Sequence, residues 1–199
     1  MNCTIRLASP DDVPAMLEIY APYVRETVIT FENDVPEPDE FRQRYGKIIK
    51  KCPWFVCEMD GRITGYSYAH QYREREAYCW AAECSIYVDP GYHGRNIGKA
   101  LYACLLETLK LQGFMTAVGV VTVPNEKSEG LHASFGFERV GLMKNIGYKA
   151  GAWRNVADFL LNLGDFPGSP RPPRAIWEVS DTPEFESILR RAAALIKNT

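Results

Sequence analysis

Apolar and polar positions alternate with two different periods along this chain, and the switches between them mark its elements. Thr4-Ile5-Arg6-Leu7 alternates as a first strand. Ser9 and Pro10 then read as N-cap and first helical residue, and Val13, Met16, Leu17, Ile19 and Tyr20 form the apolar stripe of the helix they open. After a loop over 25–36, Phe41, Tyr45, Ile48 and Ile49 carry a second helix over roughly 37–51. Trp54 to Met59, Asp60-Gly61 and Arg62 to Tyr66 form a hairpin, its second arm running on through Ala69, because Asp-Gly supplies the turn a two-residue connection needs. The charged run Arg73-Glu74-Arg75-Glu76 turns the chain into a strand over Ala77 to Val88.

The pattern then becomes helical: Ile97, Leu101, Cys104, Leu105 and Thr108 share one face, and Gly113 stops the helix. Thr116 to Val123 is a strand expected to be buried on both faces. Asn125 caps a short helix over Glu126 to Phe135. Arg139 to Leu142 and Trp153 to Leu163 read as the last strands. The Pro-rich stretch 166–174 is a stiff linker. It leads to an amphipathic helix over Pro183 to Lys197, with Phe185, Ile188, Leu189, Ala192, Leu195 and Ile196 on one face. That helix carries Glu184 and Glu186 beside its basic residues, which favours docking on its own domain or across a dimer over a membrane surface.

Composition narrows the function classes. With 46% hydrophobic and 24% charged residues, the 199-residue chain is ordinary for one globular domain with an appendage. A formal net charge of −2 gives no reason to expect nucleic acid or an anionic membrane as partner. No run approaches the roughly 18 to 20 apolar residues of a membrane span, and Met1-Asn2-Cys3-Thr4 lacks a basic-then-apolar leader, so a cytoplasmic protein is expected. Six cysteines without a Cys-x-x-Cys pair read as buried free thiols in a reducing compartment. With three histidines, no metal set has recognisable spacing, and no metal is expected.

The chemistry is concentrated in residues 83–105. Ser85 to Val88 is β-rich, Asp89-Pro90-Gly91 ends it, and Gly94-Arg95-Asn96-Ile97-Gly98-Lys99 opens a helix. A strand, a small-residue turn and a helix start present backbone N–H groups to a phosphate. The Walker pattern fails, because three residues rather than four separate Gly94 from Gly98 and Ala100 follows Lys99. The dinucleotide fingerprint is absent as well.

What the stretch resembles is the acyl-CoA loop of the GNAT acetyltransferase superfamily, Arg/Gln-x-x-Gly-x-Gly/Ala after an apolar strand. His93 stands at the Arg/Gln position, Asn96 at the first Gly and Gly98 at the second. Asn is the commonest non-Gly visitor to left-handed backbone, so Asn96 keeps the turn. Downstream, Asn125 to Phe137, N-E-K-S-E-G-L-H-A-S-F-G-F, resembles that superfamily's N-x-x-A-x-x-L-Y-x-x-x-G-F, with Asn125, Leu131, Gly136 and Phe137 in matching places. The opening Arg6-x-Ala8-x-x-x-Asp12 is common there too. Ala81 to Val88 and G-Y-K-A-G-A-W-R-N-V at 147–156 look like the phosphinothricin and methionine-sulfoximine N-acetyltransferase branch. The resemblance covers about residues 3–165, leaving 166–199 as linker and helix.

The resemblance implies an α/β (α+β) GNAT fold, a mixed and mostly antiparallel sheet of six to seven strands flanked by helices. It implies acetyl-CoA as co-substrate, a small amine or amino-acid analogue as acceptor, and a homodimer. Acetyl transfer needs a base for the amine proton, a donor to the thioester oxygen and a proton for the thiolate. Glu83, on the cofactor strand, fits the base; its structural alternative is a carboxylate paired with Arg73, Arg75 or the sheet edge. His132 stands where the superfamily usually has an acidic Tyr; its alternative is packing. Ile86, Tyr87 and Val88 would pair with the pantetheine arm, and His93, Gly94, Arg95, Asn96, Ile97, Gly98 and Lys99 would cradle the pyrophosphate, unless Lys99 is simply solvated. Asn125 and Ser134 complete the implied cofactor set. For the acceptor, Phe31, Arg73, Arg75, Glu76, Ala77, Tyr78 and Phe135 are the candidates, against packing for the aromatics and solvation for the charges. Two other functions stay open: acetylation of another amine or a protein N-terminus, and an acyl-CoA-binding module without catalysis.

Overall fold

The computed structural model describes residues 3–197; Met1 and Asn2 of the expected leaderless start, and Asn198 and Thr199 of the expected tail, lie outside the described residues. Strand β1 (Cys3–Leu7) leads through a 3-10 turn into α1 (Val13–Glu26). Here the Arg6 guanidinium forks onto Asp12 at 2.7 and 2.9 Å and reaches Glu58 at 3.0 Å. Asp12 also accepts from the Ser9 N–H at 2.7 Å, so it closes the turn that Ser9 was expected to cap. Next come α2 (Pro38–Ile48) and the hairpin of β2 (Trp54–Met59) and β3 (Arg62–Gln71). Asp60 and Gly61 have φ of 49° and 81°, the left-handed pair that a tight hairpin turn requires.

Strand β4 (Ala81–Val88) starts later than expected. Glu76–Tyr78 is a 3-10 turn, held by the Tyr78 and Cys79 N–H groups on the Arg75 and Glu76 carbonyls. Helix α3 (Ile97–Gln112) ends at Gly113 with φ 95°. Strand β5 (Thr116–Val123), α4 (Glu126–Ser134), β6 (Glu138–Lys149) and β7 (Ala152–Asn162) follow, and α5 (Pro183–Ala193) closes the described chain. β6 is three times the expected length: its register slips between Met143 and Gly147, and that bulge erases the alternation by which a strand is recognised.

The seven strands run in the order β1-β2-β3-β4-β5-β7-β6, antiparallel everywhere except between β4 and β5. One face carries α3 and α5, with Ile97, Leu101, Leu105, Phe185 and Ile188 against Phe55, Ala69 and Ala82. The other carries α1 and α2, with Met16, Tyr20, Phe41 and Tyr45 against Trp54, Val56 and Tyr66. β5 is not dry on both faces, since Val120 keeps 41% exposure on the α1 side. Four of the six cysteines are buried as expected, whereas Cys3 and Cys79 are half-buried.

The C-terminal helix packs on its own chain. Phe185 is 3% exposed and stacks on Phe55 at 6.0 Å. Phe185→Ala should therefore cost about 3 kcal/mol of unfolding free energy in urea titrations, as removal of a buried aromatic does; a loss below about 1 kcal/mol would mean that α5 is not part of the core.

Candidate active site

The parallel pairing of β4 with β5 covers only Ala81–Thr116, Ala82–Ala117 and Glu83–Val118. β4 continues to Val88, while β5 stays paired to β7 over all eight of its residues, so the sheet forks beyond Glu83. Backbone direction follows from two bonds: the Asp89 N–H donates to Thr64 and the Ala81 carbonyl accepts from Tyr72, both toward β3. Odd-numbered residues of β4 therefore point their backbone groups at β3 and even-numbered ones at β5. Ile86 and Val88 consequently turn their N–H groups into the fork, where an extended ligand can pair with them.

Glu83 sits at the root of the fork. Its cross-strand neighbour is His70, with Nε2 3.9 Å from the carboxylate, and not Arg73 or Arg75. His70 donates from Nδ1 to the Gln71 carbonyl at 2.9 Å, so its Nε2 can donate toward the carboxylate only when the ring carries a second proton. Tyr68, Tyr66 and Tyr87 continue the same face, and Tyr87 packs against Tyr20 at 4.9 Å and Tyr23 at 5.2 Å. Burial in this aromatic wall pushes the Glu83 carboxyl above its ordinary 4.5; the Asp158 charge adds to that, and a charged His70 opposes it.

At the tip of the first prong, the Tyr23 hydroxyl donates to the Val88 carbonyl at 2.6 Å and lies 3.4 Å from His93 Nε2. Asp89 accepts from the Gly91 N–H at 2.9 Å, and the chain turns through Gly94 at φ 83° and Asn96 at φ 62° into α3. Asn96 thus holds the left-handed turn expected of it. The first turn of α3 opens here, with Gly98 half-buried against Ile86 and Val88 and Lys99 exposed. At the tip of the other prong, the Asn125 side-chain Oδ1 accepts from the Ser128 N–H at 3.2 Å and caps α4. Beside that tip lies a cleft of about 590 Å³, walled by Thr27, Ile29, Thr122, Asn125, Lys149 and Ala150 among others.

Residues 5–156 match the Acetyltransferase (GNAT) domain family. The chain belongs to the GNAT acetyltransferase family. It is 37% identical to a phosphinothricin N-acetyltransferase of Alcaligenes faecalis over 82% of this chain and 85% of that protein. It is 30% identical to an L-methionine sulfoximine/L-methionine sulfone acetyltransferase of Pseudomonas paraeruginosa, over 85% of this chain and all of the other. A Sinorhizobium meliloti phosphinothricin acetyltransferase solved in complex with acetyl-CoA superposes with a TM-score of 0.81 at 34% identity, covering 86% of this chain and 94% of that one.

Not every expected site residue of this acetyltransferase reaches the fork. Gly119 faces the side of β5 opposite Val118 and Glu83, and a Cβ there would run into the His132 ring. His132 is 4% exposed, stacked on Phe159 at 5.3 Å, with Nδ1 donating to the Ser128 carbonyl at 2.8 Å and Nε2 accepting from the Tyr102 hydroxyl at 3.0 Å. Phe135 lies on that face too, edge-on to Tyr102 at 5.4 Å, and Ser134 is exposed with its hydroxyl turned back to Leu131. Arg73 lies over the rings of Tyr72 and Tyr78, while Arg75, Glu76 and Ala77 stay exposed in the turn before β4. Phe31 leans on Gly147, where no side chain would fit, and keeps 40% exposure.

Three contributors lie outside the expected set. His70 and Tyr23 meet Glu83 and Val88 only once the strand register is known. Lys149, 7% exposed, donates from Nζ to the Thr30 carbonyl at 2.7 Å and ties the loop before α2 to the end of β6. Burial pushes His132 below its ordinary 6.5, against the opposing effect of the Ser128 bond. Its ring carbon resonances should accordingly titrate with a midpoint below 6.5 in heteronuclear NMR; a midpoint at or above that value would contradict the packed, neutral imidazole.

Proposed function

We propose that this chain is an acetyl-CoA-dependent N-acetyltransferase whose acceptor is the amino group of a small amino-acid analogue of the phosphinothricin or methionine-sulfoximine kind. The observation that carries the reading is the fork, with a desolvated carboxylate at its root and unpaired strand edge along one prong. Acetyl-CoA would lie along the β5-facing edge of β4, its pantetheine pairing with Ile86 and Val88 and its pyrophosphate over Gly94 to Lys99. The thioester carbonyl would then sit beside Glu83, with a backbone N–H available to its oxygen. The amine enters from the α1 and β6 side, past Phe31.

In the reaction the acceptor nitrogen attacks the thioester carbon, a C–N bond forms and the C–S bond breaks. Glu83 accepts the proton the nitrogen sheds, which its raised pKa and exposure of about a quarter suit. The thiolate leaves as CoA and takes a proton from solvent. His132, with both ring nitrogens engaged below Gly119, serves this reading better as the anchor of α4 than as the acid.

Release of CoA from acetyl-CoA, followed with phosphinothricin, methionine sulfoximine, methionine sulfone and ordinary amino acids, tests the reading. Turnover should be selective for the first three. Glu83→Gln should lower kcat about 100-fold or more while the KM for acetyl-CoA holds, the size expected of a lost general base. The wild-type rate should rise with pH through a group above 4.5, and Glu83→Gln should lose that limb. Turnover that ignores these acceptors would overturn the substrate class, and an unaffected mutant would overturn the base.

We also propose that a second copy of the chain covers the free edge of the sheet. β6 is the outer strand, and Val140, Leu142, Ile146 and Tyr148 expose between 43% and 60% of their surface there, beside Trp153 at 63%. A bare apolar edge of this kind pairs with another chain unless it is covered. Sedimentation should give a dimer at micromolar concentration, and Ile146→Lys with Trp153→Lys should give a monomer; a monomeric wild type would refute the interface.

A further inference from the structure

The cofactor loop is held from outside the matched domain. Beyond β7 the chain is fastened step by step: the Trp80 indole donates to the Arg171 carbonyl at 2.9 Å, and the Gln112 amide to the Arg174 carbonyl at 2.7 Å. The Arg174 and Ile176 N–H groups answer onto Gln112 at 2.8 Å and Lys51 at 3.0 Å. Helix α5 then lies along α3 with Phe185, Ile188 and Ala192 buried. Its last turn delivers residues 195–197 to the start of α3. The Lys197 N–H donates to the Arg95 carbonyl at 2.9 Å, and the Asn96 side-chain amide donates to the Leu195 carbonyl at 3.3 Å. Between these two bonds Ile196 is 8% exposed, so the contact is seated rather than grazing.

Asn96 is the residue in left-handed conformation at the helix start, a conformation in which a side chain is disfavoured relative to glycine. Here that side chain has a use that glycine could not supply. We infer that residues 195–197 brace the cofactor loop in its binding conformation, with Asn96 and the backbone of Lys197 as positioning groups for acetyl-CoA. The inference rests on the reading of Gly94 to Lys99 as the pyrophosphate cradle. A loop already held in its bound shape loses less freedom when the ligand arrives, so the brace acts on affinity and leaves the chemical step alone.

Proline at 197 deletes the donating N–H, whereas alanine keeps it and removes only the charge. Lys197→Pro should raise the KM and Kd for acetyl-CoA about fivefold, the effect one hydrogen bond commonly carries, with kcat at saturation and the acceptor KM unchanged. Lys197→Ala should stay within about twofold of wild type. Asn96→Gly keeps the turn but drops the bond to Leu195, and should also weaken acetyl-CoA; if Asn96 only stands in for glycine, affinity holds or improves and the brace is refuted. Equal effects of Lys197→Pro and Lys197→Ala would overturn it in favour of simple charge. Gly94→Val, strained at φ 83°, is the loop control. Weakened binding there with a wild-type Lys197→Pro overturns the brace alone, whereas no change in either variant overturns the cradle and the brace together.

Discussion

The constraint on which the site depends is that a β-strand can satisfy only one partner at a time on each edge. β5 is committed to β7 through eight consecutive pairs, and β4 to β3 through seven, yet β4 and β5 share only three. Beyond Glu83 the two strands part while each keeps its outer partner, and backbone groups that an uninterrupted sheet would bury in a ladder are left facing an opening. An unmade backbone bond is costly in a dry interior and inexpensive where water or a ligand can reach it. The fork is thus stable only as an accessible cleft. What closes around it is side chain: Tyr23 takes the Val88 carbonyl at one tip, and Asn125 caps α4 at the other.

The two faces of the fork are built for different ends. Below it, Gly119 lets the His132 ring lie directly on β5, and Tyr102, Phe137 and Phe159 surround that ring. The outcome is a dry floor in which the imidazole is neutral. Above it, a ladder of tyrosines ends at His70 and Glu83, where the apolar wall gives way to a partly open carboxylate. The same desolvation acts with opposite sign on the two groups, since it disfavours whichever form is charged. It keeps the base below from gaining a proton and makes the acid above slower to lose one.

Much of the fold could be read along the chain because its signals are local. Asp60-Gly61, the α3 stripe from Ile97 to Thr108, the Gly113 stop and the Asn125 cap each depend on neighbours within a few residues. The errors arise where local signals conflict with geometry. Ala77 to Trp80 has the composition of a strand, but Glu76–Tyr78 forms a 3-10 turn and Cys79 and Trp80 continue it as a turn. β6 hides its period behind the bulge at Met143–Gly147. Of the candidate site, the placement of Glu83 and of the 93–99 loop was legible because strand, turn and helix start are contiguous. The His70 partner was not, because it depends on a cross-strand register that no local signal fixes. His132 shows the converse: its spacing marks the α4 position, but only the packing tells which side of the sheet its ring serves.

On the proposed reading, membership of the family and choice of acceptor are encoded differently in this chain. The proposed donor side is one continuous run, Glu83 to Leu105, in which each residue's place follows from the one before. The residues proposed for the acceptor side are scattered, and their places depend on the folded molecule: Phe31 sits on the loop that Lys149 and Gly147 hold near Thr122, whereas Tyr78 lies with Trp80 and Thr116 at the other end of β5. Lys149 illustrates the dependence: its buried ammonium spends one donor on the Thr30 carbonyl, and Phe31 settles on Gly147 two residues away. A change at Gly147 or Lys149 would move the loop before α2 without touching the fork. On the proposed reading, acceptor preference can drift while donor use and chemistry stay fixed, so that a chain about a third identical to its relatives keeps their reaction without keeping their substrate.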